Sequence, residues 1–218
     1  VFHAPVAAHG ARKAPDVRRQ AAQVVAAFGA RCAAGDFAPG FDDADAPAVR
    51  GLAERRNDPR VFVVAPMSGH YATLLRGTIE RLLPDHDVYV TDWHDARFVP
   101  RAEGPFDLDV YIDYVTEFLR FFRGNVHVMA VCQPAVPVFA AVALLEAMGD
   151  RSSPRSMILM AGPIDARINP TAVNRFAEGR TIDWFRRNVT TQVPWPYPGV
   201  MRMVYPGFLQ LSGFMGMN

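Results

Sequence analysis

The residues with the most chemical potential stand where apolar runs give way to turns. The run V-H-V-M-A-V (Val126 to Val131) leads into Cys132, Gln133 and Pro134, and a helical stretch from Ala135 to Met148 follows. A thiol at such a strand-to-helix turn projects from the end of a sheet. It also meets the free N–H groups and positive dipole end of the helix, which favour a thiolate. This is the placement of the nucleophile in a G-x-S-x-G turn. Here the string is A-V-C-Q-P, with Ala130 and Pro134 at the glycine positions. A second reading stays open at this level, because a cysteine beside an apolar strand also serves as a small buried hydrophobe. The loop P-M-S-G-H-Y (Pro66 to Tyr71), after an earlier run, bears on the choice. Acyl transfer needs two N–H donors on the developing oxyanion, one from the residue after the nucleophile and one from such a loop. Gln133 would supply the first, and Met67 or Ser68 the second. An ordinary turn with Gly69 for flexibility is the alternative for this loop.

The other chemical residues decide less. His127 lies inside a strand run, where a satisfied core histidine is expected. His86 and His94 lie near strand boundaries, His70 in the donor loop, and His3 and His9 near the start of the chain. None follows Cys132, although the chain order in sites of this kind is nucleophile, acid, histidine. Asp165 stands in a loop after the fourth apolar run and is read as structural, since the acid is expected after a later strand. No His/Cys/Asp cluster has zinc spacing, and no G-x-G-x-x-G or P-loop appears. No metal and no cofactor are therefore expected.

Four elements must hold these loops in place. V-F-V-V-A (Val61 to Ala65), V-Y-V-T (Val88 to Thr91), Val126 to Val131 and M-I-L-M-A (Met157 to Ala161) are short, continuous apolar runs. Such runs fit strands buried on both faces of a parallel sheet. Helical stretches separate them at about 71–83, Leu108 to Arg123 and 135–148. The middle one has Asp107 as its cap, Phe106 to staple onto Tyr111, and Gly124 to end it. Its buried stripe is Leu108, Tyr111, Ile112, Val115, Phe118, Leu119 and Phe122. Alternating strands and helices predict a doubly wound α/β fold, with chemistry at the carboxyl ends of the strands. Ahead of this, residues 1–14 read as a loose arm and 15–32 as a helix.

Composition narrows the function classes. Half of the 218 residues are hydrophobic and 11% aromatic, which supports a packed core and excludes disorder as the main state. A net charge of +1 gives no reason to expect nucleic acid or an anionic bilayer as partner. No apolar run reaches the roughly 18 residues of a spanning helix, and no signal peptide is visible. Two cysteines a hundred positions apart, Cys32 and Cys132, make a disulfide scaffold unexpected and a cytoplasmic location the default.

Five strings carry a resemblance: V-V-A-P-M-S-G-H-Y-A-T-L-L-R, D-V-Y-V-T-D-W-H-D-A-R, F-D-L-D-V-Y-I-D-Y-V, A-V-C-Q-P-A-V-P-V and M-A-G-P-I-D-A-R-I-N-P. Over roughly Arg60 to Asn218 the chain resembles the intracellular polyhydroxyalkanoate (polyhydroxybutyrate) depolymerases, of the α/β-hydrolase superfamily. The resemblance implies that Cys132 attacks the ester carbonyl of the polyester and that water then releases 3-hydroxyacid units. It places the family's acid and histidine beyond Asn218, so neither is assigned to a residue here.

The expected organisation is an N-terminal arm and helix over 1–59, an α/β-hydrolase core with a nucleophile elbow over 60–180, and the start of a cap over 181–218. The core is expected to lack its last strands, and the 218-residue piece alone to be inactive and aggregation-prone. The expected partner is a polyhydroxyalkanoate granule surface or its oligomers. Two alternatives stay open. One is a polyhydroxyalkanoate synthase-like acyltransferase, whose motif is G-x-C-x-G. The other is an inactive polymer-binding remnant.

Overall fold

The computed structural model describes residues 58–67, 74–91, 93 and 95–215. Within them the chain is α/β. Strands β1 (Arg60–Val64), β2 (Asp87–Val90), β3 (His127–Val131) and β4 (Ser156–Met160) form one parallel sheet in the order β2-β1-β3-β4. The four apolar runs are these strands, to within one residue at either end. The arm and helix expected over 1–59 lie, Asp58 and Pro59 aside, outside the described residues. So do the first three positions of the helix expected over 71–83, where α1 spans Arg76–Leu82.

The register Val63↔Val90, Val63↔Met129 and Met129↔Ile158 aligns the strands so that their carboxyl ends finish together. Helices cover both faces. On one, Phe62, Val64, Val128 and Ala130 pack against α2 (Leu108–Phe122) and α3 (Ala135–Ala147). On the other, Val61, Val63, Val88, Val90 and Met129 pack against Leu75 and Ile79 at α1. Phe62 is fully buried between the rings of Phe118 and Phe122, at 5.4 and 5.5 Å. Burying a side chain of this size stabilises by roughly 1.5–3 kcal/mol.

Helix α2 begins and ends as its local sequence predicts. The Asp107 carboxylate accepts from the Val110 N–H at 3.0 Å, and the Phe106 and Tyr111 rings lie 5.8 Å apart. Arg123 and Gly124 both take left-handed backbone at its end. The buried face differs from the expected stripe by one loss and one addition. Leu108, the first helical residue, stays outside the packed cluster and is exposed. Thr116 is buried instead, its hydroxyl donating to the Ile112 carbonyl at 2.8 Å, so its polar group is satisfied within the helix.

Burial on both faces holds for β1 but not for β4. Met157 and Leu159 face the core, whereas Ser156, Ile158 and Met160 are exposed. Among the described residues β4 is an edge strand, and no helix there covers its second face. Helix α3 shows the same asymmetry: it is apolar almost throughout, yet Phe139 and Leu144 are exposed.

After β4 come α4 (Ala172–Glu178), α5 (Ile182–Asn188), a small antiparallel pair of β5 (Thr191–Gln192) and β6 (Met203–Val204), and α6 (Gly207–Met215). Among the described residues no helix is long and apolar enough to cross a membrane.

The carboxyl end of β1 is tied down from both sides. The Ala65 N–H donates to the Thr91 hydroxyl at 2.8 Å. The Ala65 carbonyl accepts from the Trp93 indole N–H at 2.8 Å and from the Tyr111 hydroxyl at 3.4 Å. Ala65 is fully buried and Thr91 nearly so, so neither group has water to turn to. Thr91→Val keeps the shape and removes the acceptor. It should destabilise the fold by about 1–3 kcal/mol, the cost of orphaning a buried N–H. Denaturant titration reads this as a lower midpoint with an unchanged slope, and an unchanged midpoint would show that the bond carries no weight.

Candidate active site

β1 continues to β2 on one side, and β3 lies on the other, so the strand order changes direction between β1 and β3. In open α/β sheets the crevice at such a switch point, at the carboxyl ends of the strands, is where ligands bind. Met67 lies just beyond β1 and Cys132 just beyond β3, one on each side of this crevice.

Cys132 has φ 69° and an exposed side chain. A left-handed backbone costs a non-glycine residue roughly 1–2 kcal/mol. Here two bonds hold it in place. Its N–H donates to the Met160 carbonyl at 2.7 Å, extending the β3–β4 ladder by one rung, and its carbonyl accepts from the Ala135 N–H at 3.1 Å. Pro134 caps α3 and Pro137 sits in the first turn, where a missing N–H is tolerated. The exposure of Cys132 decides against the buried-hydrophobe reading.

A residue outside the elbow provides its space. A Cβ on Gly162 would collide with the Ala135 Cβ and stand 3.1 Å from the Cys132 carbonyl. The close-approach glycine is therefore on the segment leaving β4, while the A-V-C-Q-P turn itself contains none. The preceding residue, Ala161, has φ 51°, so neighbouring strands both end in left-handed residues. The string G-P-I-D marks a strand end in the sequence but does not reveal this role, because the contact is between separate strands.

The two residues expected to supply donors meet directly. The Met67 N–H donates to Gln133 Oε1 at 3.0 Å, across 66 positions of chain. The Gln133 N–H has no acceptor among the described residues. Ser68, the alternative donor, lies outside the described residues, as do His70, His94 and Cys32.

The two described histidines stand at the other end of the sheet. His127 is the first residue of β3. It is half-buried rather than in the core, because strand ends face the loops, and its Nδ1 bonds Ser156 Oγ at 2.8 Å. It helps line a polar cleft of about 280 Å³ with Arg60, Asn125 and Arg155. His86 precedes β2 and bonds the Leu82 carbonyl through Nδ1 at 3.2 Å. Asp165 is taken up by Arg167, whose Nε and Nη2 donate to its two oxygens at 2.8 and 2.7 Å. That pairing holds its carboxyl down to about 2. Among the described residues no three His, Cys, Asp or Glu side chains gather as a metal site.

The last segment is bound to the loop that follows β2. Arg202 donates to the carbonyls of Val99, Pro100 and Gly104 at 3.2, 2.7 and 2.9 Å. The Gly199 N–H donates to the Arg97 carbonyl at 2.8 Å, and a side chain at Gly199 would strike the Ala96 carbonyl. The turn between β5 and β6 is thus clamped to the loop that follows β2.

Gly162→Ala should overpack the elbow, costing about 1–3 kcal/mol. It should also shift the rate at which iodoacetamide alkylates Cys132 in native protein by more than twofold, read by mass spectrometry. Wild-type stability together with an unchanged alkylation rate would show that the start of α3 has room to move.

Residues 161–218 match the family model described as PHB (polyhydroxybutyrate) de-polymerase C-terminus. No curated protein and no solved structure matches the chain. The matched stretch starts at Ala161, the residue after β4, and runs to Asn218, so Cys132 lies upstream of it. The match covers 58 of the 218 residues and shows a likeness of this segment to that C-terminus.

Proposed function

We propose that the protein hydrolyses intracellular polyhydroxybutyrate through an acyl-cysteine intermediate at Cys132. One observation carries the reading: the exposed Cys132, at φ 69° between β3 and α3, sits in a chain whose last segment matches the depolymerase C-terminus. The parallel order β2-β1-β3-β4, with its switch point beside the thiol, supports an α/β-hydrolase-type core.

In the proposed reaction a base takes the thiol proton and the sulfur attacks the ester carbonyl carbon. The C–S bond forms as the carbonyl π pair moves onto oxygen, and the Gln133 and Met67 N–H groups stabilise the oxyanion. Collapse breaks the C–O bond to the shortened polymer, which leaves as an alcohol. Water then attacks the thioester, releases a 3-hydroxybutyrate unit and restores the thiol. His86 and His127 stand at the amino ends of the strands, so the base is not one of them. The segment 181–218 is the start of a cap, anchored through Arg202 and Gly199. Its exposed Ile182, Trp195, Met203, Tyr205 and Phe208 suit an insoluble polyester or its oligomers at a granule surface in the cytoplasm.

A specific observation keeps a second reading in view. With both described histidines at the wrong end of the sheet, a polymer-binding protein without turnover would have this structure too. The synthase-like alternative is less well supported, because A-x-C-x-P replaces G-x-C-x-G and the match is to depolymerases.

Protein expressed from its complete reading frame should release 3-hydroxybutyrate from amorphous polyhydroxybutyrate. Cys132→Ala should lower that rate by ~10³-fold or more, as removal of a nucleophile does. Alkylation of native protein should label Cys132 before Cys32. Turnover that survives Cys132→Ala would remove the thiol mechanism, and polymer binding without release would favour the non-enzymatic reading.

A further inference from the structure

The contact between Met67 and Gln133 leads further, resting on the reading of Cys132 as nucleophile. We propose that the Gln133 side-chain amide is an internal stand-in for the ester carbonyl, occupying the Met67 N–H until the substrate's acyl oxygen displaces it.

Three features support this. Gln133 Oε1 is an sp² carbonyl oxygen, the same kind of acceptor an ester presents, and it stands 3.0 Å from the Met67 nitrogen. That separation falls in the 2.7–3.1 Å range at which oxyanion donors work. Second, the side chain is exposed, and among the described residues the bond to Met67 is its one hydrogen bond, so no second bond to them holds it in place. Third, the Gln133 N–H, the other expected donor, has no acceptor there. Among the described residues one donor of the pair is occupied and the other is not.

Gln133 therefore does two things through one residue. Its main chain supplies a donor, and its side chain keeps the second donor aligned while no substrate is bound. An occupant that must leave first lowers apparent affinity by the fraction of molecules in which it is bound. Gln133's side chain acts through Met67 and does not touch the reacting atoms, so it is a positioning residue. Its signature is a change in apparent affinity for an acyl donor without a change in the thiol itself.

The test compares two reagents on wild type, Gln133→Ala and Gln133→Glu. With p-nitrophenyl 3-hydroxybutyrate, the Cys132 thiolate attacks the acyl carbon and a C–S bond forms. The C–O bond breaks, nitrophenolate leaves with the bonding pair, and the thiol proton passes to buffer. The nitrophenolate burst gives the acylation rate and its concentration dependence. Iodoacetamide reports accessibility and folding around the same thiol without needing an oxyanion donor. Gln133→Ala should raise acylation at low substrate by about 2- to 12-fold, the range of one net neutral hydrogen bond, through a lower half-saturation concentration. Its alkylation rate should stay within about twofold of wild type, because the thiol is untouched. Gln133→Glu places a stronger, charged acceptor on Met67 and should slow acylation by a larger factor than alkylation, which the added charge also slows by disfavouring the thiolate. Slower acylation in Gln133→Ala, or parallel changes with both reagents, would overturn the stand-in role. A wild type with no Cys132-dependent burst would instead overturn the nucleophile reading beneath it.

Discussion

Turning a parallel strand into a helix within three residues drives one backbone position into the left-handed region, and here that position is Cys132. The strain is held by the ladder bond to Met160, the turn bond from Ala135, and the absence of a side chain at Gly162. The first and the last depend on β4 lying against β3 in the observed register, whereas the bond from Ala135 is local to the turn. The thiol is exposed because the backbone is strained, since a relaxed strand continuation would have carried Cys132 along the sheet. Strain of this kind persists where the surrounding structure over-determines it, and it concentrates at functional sites.

The partner across the crevice is held by different means. Nothing strains the backbone at Ala65; its two polar groups are saturated by Thr91, Trp93 and Tyr111. Trp93 in turn packs edge-on against Tyr111, Tyr114 and Phe106 at 4.9, 6.3 and 6.0 Å. An aromatic cluster on α2 and its entry loop thereby positions the amide that follows β1. One side of the crevice is fixed by a turn and the other by a polar network among apolar side chains.

The segment after β4 differs in character. Its polar links are mostly local or to backbone carbonyls, as with Arg202 on the loop after β2. Phe176, Trp184 and Phe185 form an aromatic group on which the Arg180 guanidinium stacks, 3.6 Å from the Phe176 ring centre. Large apolar side chains there are exposed at many positions, whereas β1 exposes none. This apolar surface and the match to the depolymerase C-terminus coincide along the chain.

Much of the α/β core was legible from the residues alone. Four β-branched runs became four parallel strands, Asp107 capped its helix, and A-V-C-Q-P became the turn that exposes its cysteine. Those outcomes depend on periodicity and on neighbours within a few positions, which a sequence displays directly. The exposed face of β4 was not legible, since a run of apolar residues reads the same at an edge as in the middle of a sheet. Nor was the solvent-side place of His127, the space left by Gly162, or the Gln133 side chain on Met67. These join residues on different strands, and their existence follows from β1, β3 and β4 lying side by side. The sequence by itself determined which residue would stand exposed if the turn formed. The tertiary structure decided which amide stands opposite it and what occupies that amide, because a contact across 66 positions exists only once the sheet has brought the strand ends together.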